Sequence, residues 1–166
     1  MSAPRASAAP LPASLPASLP DPEIDPEAIR TYRVEDQIGY LIRRAHQRAS
    51  AIFETVMRDF SVTPVQYAVM CKLHDLGATS QNQVGRLVGV DPATMFGVAR
   101  RLTTRGLVRP TSDESDARLV LLTLTAEGIG VIEAMKSRGA EVTARTLAPL
   151  SATEAAELTR LLARLG

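Results

Sequence analysis

Apolar residues recur at three- and four-residue intervals through most of this chain, and each break in that rhythm marks an element boundary. The first stripe is Ile38, Leu41, Ile42, Ala45, Ala49, Ile52, Phe53, Val56 and Met57, which predicts one long helix over Val34–Phe60. At roughly 1.5 Å per residue such a helix would be about 40 Å long. A domain of this size cannot cover that length, so part of the apolar face is expected to meet another chain.

A capping box with proline at the first helical position, Thr63-Pro64-Val65-Gln66, predicts a second helix to about His74, closed by Gly77. Ser80-Gln81-Asn82-Gln83 opens a third, short helix through Val88, with Val84, Leu87 and Val88 inward. Gly89-Val90 then turns into a helix capped by Asp91, with Pro92 in its first turn and Gly106 as its stop. Its inward stripe is Met95, Val98, Ala99 and Leu102. Two short helices joined by a tight glycine turn form a helix-turn-helix pattern.

After Gly106 the period changes. "LVRPT" and "RLVLLTLT" read as strands flanking the polar loop "SDESDA", which together predict a hairpin. Thr125 caps a helix to about Leu147 despite Gly128, Gly130 and Gly139. Ser151–Glu154 opens a last helix carrying Leu158, Leu161, Leu162 and Leu165, an amphipathic end that again suggests association. The first 26 residues hold seven of the eleven prolines, so residues 1–30 are expected to form a disordered Pro/Ala/Ser-rich tail.

Charge sharpens this picture. The net charge is +1, but residues 1–29 carry −3 and the rest +4. Between Arg86 and Arg109 stand five arginines against one acid, Asp91. The outer face of the Pro92–Arg105 helix holds Thr94, Phe96, Gly97, Arg100, Arg101, Thr104 and Arg105, with no carboxylate beyond the cap. A solvated helix usually mixes both signs; one sign alone points to a polyanionic partner. The lone Cys71 excludes an intramolecular disulfide, and no apolar run approaches a membrane span. No secretory signal is recognisable, so a cytoplasmic location is expected. There is no phosphate-binding glycine loop, nucleophile elbow or usable triad, and none of the residues suggests a cofactor, a metal or an enzyme.

A helix-turn-helix followed by a hairpin is a winged helix-turn-helix, and here the sequence resembles the MarR family of bacterial transcription regulators from Glu35 to Gly166. "DARLVLLTLTAEG" (Asp116–Gly128) matches the family's wing pattern, "LGATSQNQVGRLVGVDPATMFGVARRLTTRGLV" the preceding helices in register, and "GYLIRRAHQR" the first dimerisation helix. The resemblance implies a mainly α fold, with N- and C-terminal helices (31–62 and 126–166) forming a dimerisation domain. Residues 63–125 would form the winged DNA-binding lobe.

It also implies site residues on double-stranded DNA. Ser80 and Gln81 would meet phosphate, and Thr94, Phe96, Gly97 and Arg100 the major groove. Arg118, oriented by Asp116, would enter the minor groove, where narrow A·T-rich DNA concentrates negative potential; the alternative is a solvated salt bridge within the hairpin. Many members have polar residues in place of Phe96-Gly97 and a second arginine in place of Ala117. Phe96 can touch a thymine methyl or pack against the wing, but cannot hydrogen-bond a base edge.

The family are homodimers, and many release DNA when a small aromatic acid binds between base and lobe. The resemblance therefore implies a homodimeric repressor on a pseudo-palindromic operator, with hydroxybenzoates or nicotinate-type catabolites as effectors. Candidate ligand residues are Tyr40, Arg43, His46 and Phe53 on the first helix and Tyr67, Met70 and Cys71 on the second. They combine cations for a carboxylate with rings for stacking. Alternatives are a structural role for His46, a redox-sensing Cys71, and a protein-interaction module that has lost DNA binding.

Overall fold

The helix expected over Val34–Phe60 is shortened at both ends, while its apolar stripe from Ile38 to Val56 stays in one helix. The computed structural model describes residues 25–112 and 120–165. Pro26–Arg30 (α1) is a short helix rather than part of an extended tail, because Asp25 accepts the Glu27 N–H at 2.9 Å and Pro26 suits the first helical position. Val34–Asp36 is a 3-10 turn, and Gln37 is extended, so the main helix, α2, begins only at Ile38 and ends at Val56. A second 3-10 turn, Arg58–Phe60, ends at Ser61 in the left-handed region, φ 50°. The break has a cause at Thr63-Pro64, since a residue before proline avoids helical geometry. The chain must reverse there for the next helix to pack back.

That helix, α3 (Pro64–Leu76), starts with both halves of the predicted capping box. Thr63 Oγ1 accepts from Gln66 N at 3.3 Å, and Gln66 Oε1 accepts from Thr63 N at 3.0 Å. It runs to Leu76, beyond the expected end at His74, and stops at Gly77, φ +76°. Thr79–Ser80 forms β1, a strand absent from the expectations above. Ser80 also caps α4 (Gln81–Val88), accepting from Gln83 N at 3.4 Å, so only one half of that box exists. Val84 and Gly85 are buried in α4, whereas Leu87 and Val88 are half-buried rather than fully inward. Gly85 has functional smallness: a Cβ would come within 3.3 Å of Met95 on the following helix.

α5 (Pro92–Thr104) buries the four residues its spacing predicts, Met95, Val98, Ala99 and Leu102. β2 (Val108–Ser112) and β3 (Val120–Leu124) pair antiparallel, Val108 opposite Leu124 and Pro110 opposite Leu122. β1 adds to the other side of β3, giving the order β1-β3-β2. α6 (Ala126–Leu147) and α7 (Ala152–Leu165) complete the chain. Thr125 ties the start of α6 to the end of α5. Its hydroxyl donates to Gly106 O at 2.6 Å, its N–H donates to Leu107 O at 3.1 Å, and it accepts from Gly128 N at 3.0 Å. A Cβ on Gly128 would overlap the Leu107 carbonyl oxygen, and one on Gly139 would overlap the Tyr67 hydroxyl. Both glycines buy close approach of α6, at the usual cost in helix propensity.

Met57, Met70, Met95, Leu102, Ile132 and Met135 lie at the centre of one core shared by the end of α2, by α3–α5, by the sheet and by the first half of α6. Among the described residues no buried side-chain polar atom lacks a hydrogen-bond partner, and no helix is long and apolar enough to cross a membrane. α7 contributes nothing to the core, since none of its residues is buried.

Candidate nucleic-acid interface

The outer face of α5 follows from its inner one. With Met95, Val98, Ala99 and Leu102 buried, helical geometry turns Ala93, Phe96, Gly97, Arg100 and Thr104 outward. Phe96 is 61% exposed, and it is absent from the residues that pack on the core. Arg101 folds back so that its Nη1 would stand 3.5 Å from a Cβ at position 97. Thr94 is occupied at the cap: its N–H donates to Asp91 Oδ1 at 2.9 Å and its hydroxyl to Oδ2 at 2.6 Å. These bonds, the hydroxyl's first, hold the Asp91 carboxyl below the usual range.

Arg105, though exposed, is engaged by the chain itself. Its guanidinium donates to Ser61 O at 2.6 Å and Phe60 O at 2.8 Å, so it fastens the end of α5 to the connector between α2 and α3. The left-handed Ser61 presents that carbonyl. Arg86, Arg100, Arg101 and Arg109 are exposed as well. The sequence places five arginines between Arg86 and Arg109; the fold ties one of them to carbonyls 44 and 45 residues away. Ser80 and Gln81 stand at the start of α4, with Ser80 Oγ engaged in the cap. Asp116 and Arg118 lie outside the described residues, as does Ala117.

The seven candidate ligand residues fall into two groups. Phe53 and Tyr67 face each other with ring centroids 5.6 Å apart, tilted by 54°, and Met70 belongs to the same buried cluster. Cys71 is half-buried beside Tyr67. Burial, with smaller contributions from Cys71, pushes the Tyr67 hydroxyl up to about 12. Burial also pushes the Cys71 thiol up, despite the lowering influence of Tyr67 and Lys136. That is opposite to the activated thiol a peroxide sensor needs.

Tyr40, Arg43 and His46 sit elsewhere. His46 is about 10 Å from Phe53 along α2, and it lines an apolar groove of about 800 Å³ between α2 and α7. Ile38, Ile42, Leu158, Leu161 and Leu165 share that groove. A cation overlooked in the sequence is nearer the Phe53–Tyr67 pair. Arg138 of α6 donates to Val56 O at 3.2 Å and approaches Asp59 at 3.8 Å, next in sequence to the Gly139 that faces Tyr67. Nothing in local sequence marks Arg138, because Val56 is 82 residues away and Asp59 nearly as far. Among the described residues no group of three or more His, Cys, Asp or Glu could hold a metal ion.

Known proteins share this arrangement. A model described as the MarR family matches residues 62–120. The chain is 34% identical over 134 residues to the HTH-type transcriptional repressor NicR of Pseudomonas putida, covering 81% of this chain and 85% of that one. A probable transcriptional regulator from Pseudomonas aeruginosa superposes with a TM-score of 0.78 at 40% identity, over 81% of this chain and all of the other. BpsR of Bordetella bronchiseptica, in a structure concerned with regulation of its DNA binding by 6-hydroxynicotinic acid, gives 0.77 at 36%, over 81% and 96%. Relatives this similar over nearly their whole length, together with the helix-turn-helix and its hairpin in place, make the chain a member of the MarR family of transcription regulators.

Proposed function

We propose that this regulator is a homodimeric repressor that leaves a pseudo-palindromic operator when a small aromatic acid binds. The observation that carries the reading is the outer face of α5, exposed, bearing Arg100 and Arg101, and without a carboxylate beyond its cap. In this reading Thr94, Phe96, Gly97 and Arg100 meet the major groove, and Ser80 and Gln81 at the start of α4 meet phosphate. Arg118, held by Asp116, enters the minor groove from the hairpin.

The groove between α2 and α7 supports the dimer. Ile38 is 68% exposed and Leu165 72%, and they stand among further exposed leucines of both helices. A second copy laid against this face covers them and sets two α5 helices about 34 Å apart, one turn of DNA. The effector ring belongs near Phe53, Tyr67, Met70 and Cys71, with a guanidinium such as Arg138 for its carboxylate. Tyr40, Arg43 and His46 then line the interface between copies rather than the ring site. Binding between base and lobe lowers DNA affinity if the liganded spacing of the two lobes no longer fits the operator.

Fluorescence anisotropy with a duplex from the chain's own upstream region tests the reading. Salt is varied, and 6-hydroxynicotinic acid and hydroxybenzoates are titrated. Tight, salt-sensitive binding released by one acid is expected. Binding no better than to scrambled DNA would turn the reading to a protein-docking module, and release by peroxide alone to a cysteine sensor.

A further inference from the structure

The outward face of α5 divides chemically at its midpoint. Its second half carries Arg100, Arg101 and Thr104, all exposed. Its first half presents Ala93, Phe96 and Gly97, none of which has a side-chain donor or acceptor. The polar group nearby is the Thr94 hydroxyl, whose proton goes to Asp91 Oδ2 at 2.6 Å. The other two phenylalanines are treated differently: Phe53 is buried and Phe60 packs against the core. Phe96 alone among them is left in water, one turn before Arg100, on a cationic surface.

We infer that the first half of α5 recognises thymine through its 5-methyl group, with Phe96 as the specificity-determining residue, and that side-chain hydrogen-bond donation to bases by this helix is left to Arg100 and Arg101. The inference rests on the DNA-binding reading above. In the major groove every base pair offers polar atoms, and thymine adds an apolar methyl. A phenyl ring gains nothing from the polar edges and is favoured by burial against that methyl. Ala93 and Gly97 add almost no bulk beside the ring, so the helix can approach closely enough for contact. The operator is therefore expected to carry a thymine at a fixed place in each half-site, selected by shape and not by a hydrogen-bond pattern.

The test uses the full chain and the tightest duplex selected from a randomised pool. Each thymine is replaced in turn by deoxyuridine, which removes the methyl and keeps the pairing edge. At one position per half-site, deoxyuridine is expected to weaken binding about threefold to fivefold, as for one buried methyl. Phe96→Ala is expected to bind both duplexes equally, with an unchanged salt slope, since no counterion is displaced by a phenyl ring. Because Phe96 is largely exposed and lies outside the core cluster, its removal is expected to leave thermal unfolding nearly unchanged. Indifference to every deoxyuridine, or a sensitivity that survives in Phe96→Ala, overturns the inference while DNA binding stands. A pool in which no sequence is enriched overturns the DNA-binding reading and this inference together.

Discussion

The lobe around α3–α5 and the base formed by α2 and α7 are built from the same kinds of helix and finish differently. In the lobe, each helix turns its apolar stripe onto another element, and Met70, Val84, Met95 and Leu102 are fully buried. In the base, the equally amphipathic α7 buries none of its residues, and the first half of α2 leaves Ile38, Leu41 and Ile42 in water. Amphipathicity states that a face must be covered; it does not state by what. The lobe satisfies that demand within the chain, and the base, among the described residues, does not.

Four substitutions break or sharpen this contrast. The largest effect is expected from Leu161→Asp, which puts a charge into the α2–α7 groove twice per dimer. It should raise the dimer dissociation constant about a thousandfold and leave the lobe folded. Light scattering coupled to size exclusion measures the first, and near-UV dichroism the second. Next comes Gly128→Ala, which drives a methyl into the Leu107 carbonyl. A loss of about 3 kcal/mol is expected, a fall in Tm of about 10 °C. The association of the base should be spared.

Gly97→Ala is smaller and has two signs. Its Cβ would make only ordinary contact with the Arg101 guanidinium, so helix propensity should raise stability by about 0.5–1 kcal/mol. The same methyl stands at the middle of the outward face, so DNA affinity should fall. Denaturation and anisotropy moving in opposite directions would separate fold from function at one position. The smallest effect concerns Asp91. Its carboxyl is held below the usual range by Thr94, so its contribution is present above the unfolded-state value near pH 4 (about 3.9) and is lost as pH falls through the folded-state value. Asp91→Asn keeps a cap without the titration, so its Tm should vary less than the parent's between about pH 5 and 3.

What the sequence made legible was local. The α3 capping box and the inward stripe of α5 involve partners within four residues, and both are present as spaced. β1 escaped notice because two residues cannot display an alternation. Gly128 and Gly139 read as weaknesses in a helix, and their reason lies in Leu107 and Tyr67, which the sequence does not place beside them. The site divides in the same manner. The outward positions of α5 follow from helical period, so Thr94, Phe96, Gly97 and Arg100 stand where the spacing put them. The separation of His46 from Phe53 does not follow, because the period that aligns them on α2 is silent about where α7 begins to cover one and α3 the other. Arg105 and Arg138 show the limit most plainly: from distant parts of the chain, one reaches carbonyls in the α2–α3 connector and the other the last carbonyl of α2.

The small sheet carries a last consequence. Its order places β1 and β2 at the two edges. One edge is two residues long, and the other contains Pro110, which has no N–H to offer a further strand. Neither rim can template growth, so when many copies crowd along a nucleic acid their hairpins can lie side by side without knitting into a shared sheet.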